Sequence, residues 1–325
     1  MAKLTDKQLM VLDNLIYLRE IASGNNEIET VKDFIESIID ENGNVDEIKV
    51  KTVEREAKIS TLEAAGQYEE ANNVRAIAAE DYEVDALNNG SYQKAIDMVS
   101  KDEELLNLRI AYTSGEYEEK LMSQGADKYC TDGLTAVCFK DDENNAYVIY
   151  RGTDGYTAWS ENVQAAMVAD TSIQQLALNF FESIPGLENF QDVQLSGHSK
   201  GGNMVQYVTI VSEYSYLISH TVTYDGQGFS DYFMDKYSAL IAQNKDKIVS
   251  YSAEYDVVNA LLYQLDIQRY YLESSIISIN PFAHHYPDVV FDENGNLNNF
   301  TCESEIRKQV NAIIQYTIEY LIIEY

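Results

Sequence analysis

The 325-residue chain has 45% hydrophobic and 24% charged residues, the usage of a globular protein with a sizeable core rather than a disordered one. Its 23 Lys and Arg stand against 54 Asp and Glu, and the resulting formal charge of -31 repels nucleic acid and anionic lipid surfaces, so no nucleic-acid partner is expected. Cys130, Cys138 and Cys302 show neither CxxC nor metal-type spacing, which suits thiols in a reducing cytoplasm.

The start, MAKLTDKQLMVLDN, mixes charges among its apolar residues, and no later run reaches the length of a membrane span. A soluble protein without an integral membrane segment is expected, although leaderless export would leave no mark here. Over residues 4–21, Leu9, Leu12 and Ile16 recur at helical spacing, with Thr5 placed as the N-cap. VKDFIESIID predicts a second helix ending in the turn ENGN, and an Ala- and Glu-rich third covers much of residues 49–87. Residues 1–100 therefore read as a helical extension, and residues 101–325 as the main domain.

The acidic run DENGNVDEIKVK at residues 40–51 invites a test as a calcium loop. It fails, because Val45 stands where Gly is needed and Lys51 where a chelating Glu is needed. It and the similar DENGN at 292–296 read as Asn-Gly turns. Beyond residue 101 come short β-rich runs, LTAVCF, AYVIY, VQLS, TVTY, IVSYS and IISI, separated by helical patterns, which predicts a mostly parallel sheet flanked by helices. SIQQLALNFFESI at 172–184 fits the helix before VQLS, with several of Leu176, Leu178, Phe180 and Phe181 toward the sheet. Ile306, Val310, Ile313, Ile314, Ile318 and Leu321 mark a final amphipathic helix expected to pack on the domain.

GHSKG at 197–201 matches G-x-S-x-G and lies between the predicted strand 193–196 and the helical pattern NMVQYVTIV. A sharp strand-to-helix turn would expose Ser199 as a nucleophile among residues with little bulk, and would make the Lys200 amide one oxyanion donor at a helix N-terminus.

Upstream, AYVIYRGTDGYTAWSEN at 146–162 is a strand ending in Arg-Gly-Thr and followed by the only tryptophan. Together with GHSKG, this resembles the class 3 lipases, an α/β-hydrolase family, and more closely a bacterial lipase-like group of unassigned function that often begins with a helical stretch like LTDKQLMVLDNLIYL. The resemblance covers about residues 108–297. It implies an α/β-hydrolase fold with a lipase-like catalytic domain at 101–325, and an oxyanion-hole role for Thr153. Arg151 is expected to pair with acids beneath the site, and Trp159 to belong to a covering segment or anchor the core.

A serine hydroxyl needs a base, and the base an orienting acid. Of the four histidines, His198 is expected to point away from the turn and His220 to precede a strand. In the chain order Ser, acid, His, only His284 and His285 are suitably placed. Pro287 stiffens the chain after His285 and favours it, with His284 as the alternative, facing solvent or capping a turn. Asp256, after the run IVSYS, sits in an Asp-x-Val setting like the acid of the class 3 lipases and is preferred to Asp225 and Asp266. The expected protein is a serine hydrolase acting on small-molecule or lipid esters without cofactor or metal. The same triad also serves thioesterases and peptidases, and a fold-retaining binding or scaffold protein without turnover is the rival from another class.

Overall fold

The computed structural model describes all residues except 1–2, 25–27, 65, 85–86, 88–89, 128–129, 132, 153–167, 279 and 324–325. Its centre is an eight-stranded sheet whose spatial order follows the chain. The strands are β1 (Arg109–Thr113), β2 (Ala136–Lys140), β3 (Asn145–Tyr150), β4 (Asp192–His198), β5 (Ile218–Tyr224), β6 (Ile248–Ala253), β7 (Gln268–Leu272) and β8 (Phe300–Thr301). From β3 to β7 each pairing is parallel, while β1–β2, β2–β3 and β7–β8 are antiparallel. Every residue of β3, β4 and β6 is buried, as parallel strands covered on both faces require.

The described helices are α1 (Asp6–Leu15), α2 (Val31–Ile38), α3 (Glu47–Ala64), α4 (Tyr68–Arg75), α5 (Ser91–Val99), α6 (Glu103–Leu106), α7 (Ser114–Ser123), α8 (Ser172–Glu182), α9 (Lys200–Val211), α10 (Asp231–Lys236), α11 (Ser238–Asn244) and α12 (Glu305–Ile323). Alternation along β3 divides the core into two. Tyr147 and Ile149 join Leu9, Leu12 and Leu15 of α1 on one face; Ala146, Val148 and Tyr150 meet Phe180 and Phe181 of α8 and Val205 of α9 on the other. This is the α/β-hydrolase fold that the resemblance implies.

Thr5 caps α1 through a reciprocal capping box with Gln8. The helix is bound to the sheet by polar contacts as well as by its apolar stripe. Asp13 accepts from Ser196 Oγ at 2.7 Å, and Asp6 accepts from Tyr251 Oη and pairs with His220 Nε2, each at 2.7 Å. Asp40 and Asp292 each accept two amide hydrogens of their own turns, so these carboxylates serve the Asn-Gly turns expected of them. Among the described residues no helix is long and apolar enough to cross a membrane.

Two expectations need correction. IISI forms no strand in its described residues, where Ile277 is fully exposed; the sheet is continued instead by β7, QRYYL. That strand is half-exposed and mostly polar or aromatic, so a search for apolar runs passes over it. The final helix also packs otherwise than its apolar pattern suggests: Ile306 is 58% and Ile313 65% exposed, whereas Arg307 is buried. The Arg307 guanidinium bonds Asn259 and Glu303 and lies 5.3 Å from the Tyr271 ring centre, so a charged residue docks the start of α12.

Candidate active site

β4 ends at His198 and α9 begins at Lys200, leaving Ser199 alone between them at φ 59° and ψ -124°. Such a conformation costs a non-glycine residue about 1–3 kcal/mol and persists only where its neighbours are held. Here the Ser199 amide donates to the Tyr224 carbonyl at 2.9 Å. The turn also needs bare neighbours: a Cβ on Gly197 would lie 2.4 Å from the Gly201 backbone, and one on Gly201 only 2.0 Å from the Tyr150 carbonyl oxygen. Lys200, the first residue of α9, is buried.

His285 closes a short 3-10 turn, Pro281–His285, and its Nε2 lies 2.7 Å from Ser199 Oγ. Its Nδ1 is hydrogen-bonded to Asp256 Oδ2. Asp256 follows β6 in a fully buried position, and its other oxygen accepts from the Asn259 amide at 2.8 Å. The structure thus brings Ser199, His285 and Asp256 together. His284 is buried and bonded elsewhere, to Ser274 Oγ at 2.9 Å and to the Ser278 carbonyl at 3.0 Å, so it does not face solvent.

Asp225 lies at the end of β5 at φ 46°, also fully buried. One oxygen accepts from the Ala253 amide at 3.0 Å and Asn259 Nδ2 at 2.8 Å, and the other has no partner. Burial, reinforced by the charge of Asp256, pushes its carboxyl well above the usual range and so favours its protonated form. Asp266 is an exposed partner of Lys245. His220 lies within β5 rather than before a strand.

The expectation that His198 points away from the turn is overturned. Its ring lies 4.8 Å from that of His285, tilted by 34°, and is buried. Arg151 is buried with its guanidinium 5.7 Å from the Tyr17 ring centre, and burial together with Arg19 lowers its pKa to about 10, against the pull of Glu54. Thr153 and Trp159 lie outside the described residues.

One ligand-type atom each of His198, Asp225 and His285 lies within 4.8 Å of the others. Both His285 nitrogens are already engaged, with Asp256 and Ser199. The arrangement suits proton handling better than metal coordination. A cavity of about 280 Å³ lined by Glu20, Ile28, Arg109, Thr113, Glu116 and Lys140 includes none of these residues.

Sequence reasoning passes over Asn259, which bonds both carboxylates, and Arg307, which bonds Asn259. The available signals are an Asn three positions after the acid and a lone Arg in an otherwise apolar helix stripe.

Residues 109–317 match the family model Mbeg1-like, and no curated protein matches the chain. Among solved structures the chain is similar to the Rhizomucor miehei lipase in its propeptide complex, at 14% identity over 67% of this chain and 84% of that one, with a TM-score of 0.36. It is also similar to the Lip2 lipase of Yarrowia lipolytica, at 14% identity over 56% and 70%, with a TM-score of 0.35. Because the family model takes in more than half of its length, the chain belongs to the Mbeg1-like family.

Proposed function

We propose that the protein is a serine hydrolase that cleaves carboxylic esters through an acyl-enzyme. The observation that carries this reading is the His285 imidazole, with Nε2 2.7 Å from Ser199 Oγ and Nδ1 on the buried Asp256 carboxylate. Asp256 holds the ring proton on Nδ1, which leaves the Nε2 lone pair facing the hydroxyl. His285 takes the Ser199 proton as Oγ attacks the ester carbonyl, and Asp256 stabilises the imidazolium that forms. The oxyanion develops at the N-terminus of α9, where the Lys200 amide is one donor; the likeness of YRGTDG to the class 3 lipases assigns the other to Thr153. The imidazolium returns its proton to the departing alcohol, and water, activated by the same base, releases the acid.

A small-molecule or lipid ester as substrate follows from the likeness of YRGTDG and GHSKG to the class 3 lipases. The three cysteines are free thiols, which supports placing the protein in the cytoplasm. The test is Ser199→Ala, which should fold normally, take up no fluorophosphonate label and hydrolyse an activated short-chain ester roughly a millionfold more slowly. Unchanged hydrolysis would overturn the assignment.

A further inference from the structure

We infer that Tyr17 and His198 are positioning residues that hold the His285 ring in place and keep the ring beneath it uncharged. The inference rests on the reading of Ser199, His285 and Asp256 given above.

Tyr17 follows α1, upstream of the residues that match the family model. Its Oη lies 2.6 Å from His198 Nδ1, with the two rings edge to face at 5.7 Å. The His198 ring packs against both His285, with ring centres 4.8 Å apart, and Tyr224, at 4.9 Å, so its orientation bears directly on the proposed base. The same phenol supports the end of β3. A Cβ on Gly152 would lie 2.9 Å from Tyr17 Oη and 2.8 Å from Ser199 Cβ, so this residue passes between the two only because it has no side chain. The base-bearing segment is held from α1 as well, since Asn14 Nδ2 donates to the Pro287 carbonyl at 3.0 Å, two residues after His285.

The direction of the Tyr17 bond follows from the neighbours. The Gly152 amide donates to the phenol oxygen, and burial raises the Tyr17 pKa so that it keeps its proton. Its O–H is therefore free to donate to His198 Nδ1, which places the imidazole proton on Nε2. That nitrogen is buried without a hydrogen-bond partner. Burial and the neighbouring His285 keep His198 neutral. This matters because His285 becomes positively charged in the reaction, and a second charge stacked on it would oppose that step. The charged and titratable groups around His198 are Tyr17, with Asp13 and Arg151 behind it; Tyr224 and Asp225 from the β5 end; Asp256; and His285 itself.

The test is a double-mutant cycle on the full chain with Tyr17→Phe, His198→Phe and both together, folding checked by circular dichroism and activity followed on an activated short-chain ester. Tyr17→Phe should lower kcat about tenfold with KM unchanged, as expected for the loss of one buried hydrogen bond behind the reacting groups. The acid limb of its kcat/KM profile should move to higher pH, because His198 can then gain a proton beside His285. The double variant should be no slower than His198→Phe alone. Wild-type kcat and pH profile in Tyr17→Phe, or effects that add, would overturn the inference while leaving the triad reading intact. Failure of wild-type protein to take the fluorophosphonate label would overturn both. If Tyr17→Phe does not fold, nitrogen-15 histidine spectra of the wild type decide the matter. His198 neutral with its proton on Nε2 from about pH 5 to 9 supports the inference, because that range brackets the ordinary histidine pKa; a proton on Nδ1, or titration within that range, overturns it.

Discussion

The ends of β5 and β6 carry the same chemical group in nearly the same setting. Asp225 and Asp256 each stand just beyond a parallel strand, are fully buried and take a hydrogen bond from Asn259. They differ in the remaining partner. Asp256 meets His285, a group that can become a cation, whereas Asp225 meets only amide donors and has the charge of Asp256 beside it. Two close carboxylates without a cation each cannot both ionise cheaply, and it is the Asp225 carboxyl that is pushed toward its protonated form. A residue's place after a strand does not make it the partner of a base; the group that reaches it does.

The largest effect is expected at Asp256. Asp256→Asn should leave the fold intact and lower kcat about 10⁴-fold on the proposed mechanism, because the amide favours the wrong imidazole tautomer. Ester hydrolysis near the wild-type rate would mean that the two acids are functionally alike. Asn259→Ala is next. It keeps the backbone donor to Asp256 but strips Asp225 of one donor and Arg307 of an acceptor, and urea unfolding should show a loss of about 1–3 kcal/mol. Unchanged urea unfolding would show that neither Asp225 nor Arg307 depends on the Asn259 side chain.

The smallest effect should come from Asp225→Asn, which changes kcat little but alters the dependence of stability on pH. The folded chain holds the Asp225 proton more tightly than the unfolded chain does. The stability this residue contributes is therefore complete below about pH 4, where the unfolded carboxyl is also protonated, and is lost as pH rises toward the raised folded value. Asparagine has no such proton, so the stability of the variant relative to wild type should grow by up to about 1.4 kcal/mol per pH unit above about pH 4. A flat difference would mean that Asp225 is ionised in the folded protein.

Much of the sheet is legible because parallel strands buried on both faces appear as apolar runs; AYVIY and IVSYS lie in β3 and β6. β7 is not, because an exposed, mixed strand leaves no such run. GHSKG marks a strand, turn and helix in order, since the close passage of Gly197 and Gly201 demands small residues wherever it occurs. The packing of His198 is not legible, because adjacency to the turn does not say where a ring is packed. That depends on Tyr17, Tyr224 and His285, which lie far from it in the chain.

Features that depend on neighbours along the chain can be read directly from the residues: the capping box at Thr5, the Asn-Gly turns, the alternation of β3 and the small residues around Ser199. Which histidine meets Ser199, which aspartate is pushed toward its protonated form, and the reach of α1 and α12 residues to the strand ends come from the folded arrangement. Those outcomes depend on burial and on contacts between segments as many as 273 residues apart, as for Asn14 and Pro287, and no local pattern encodes a dielectric environment or a distant partner.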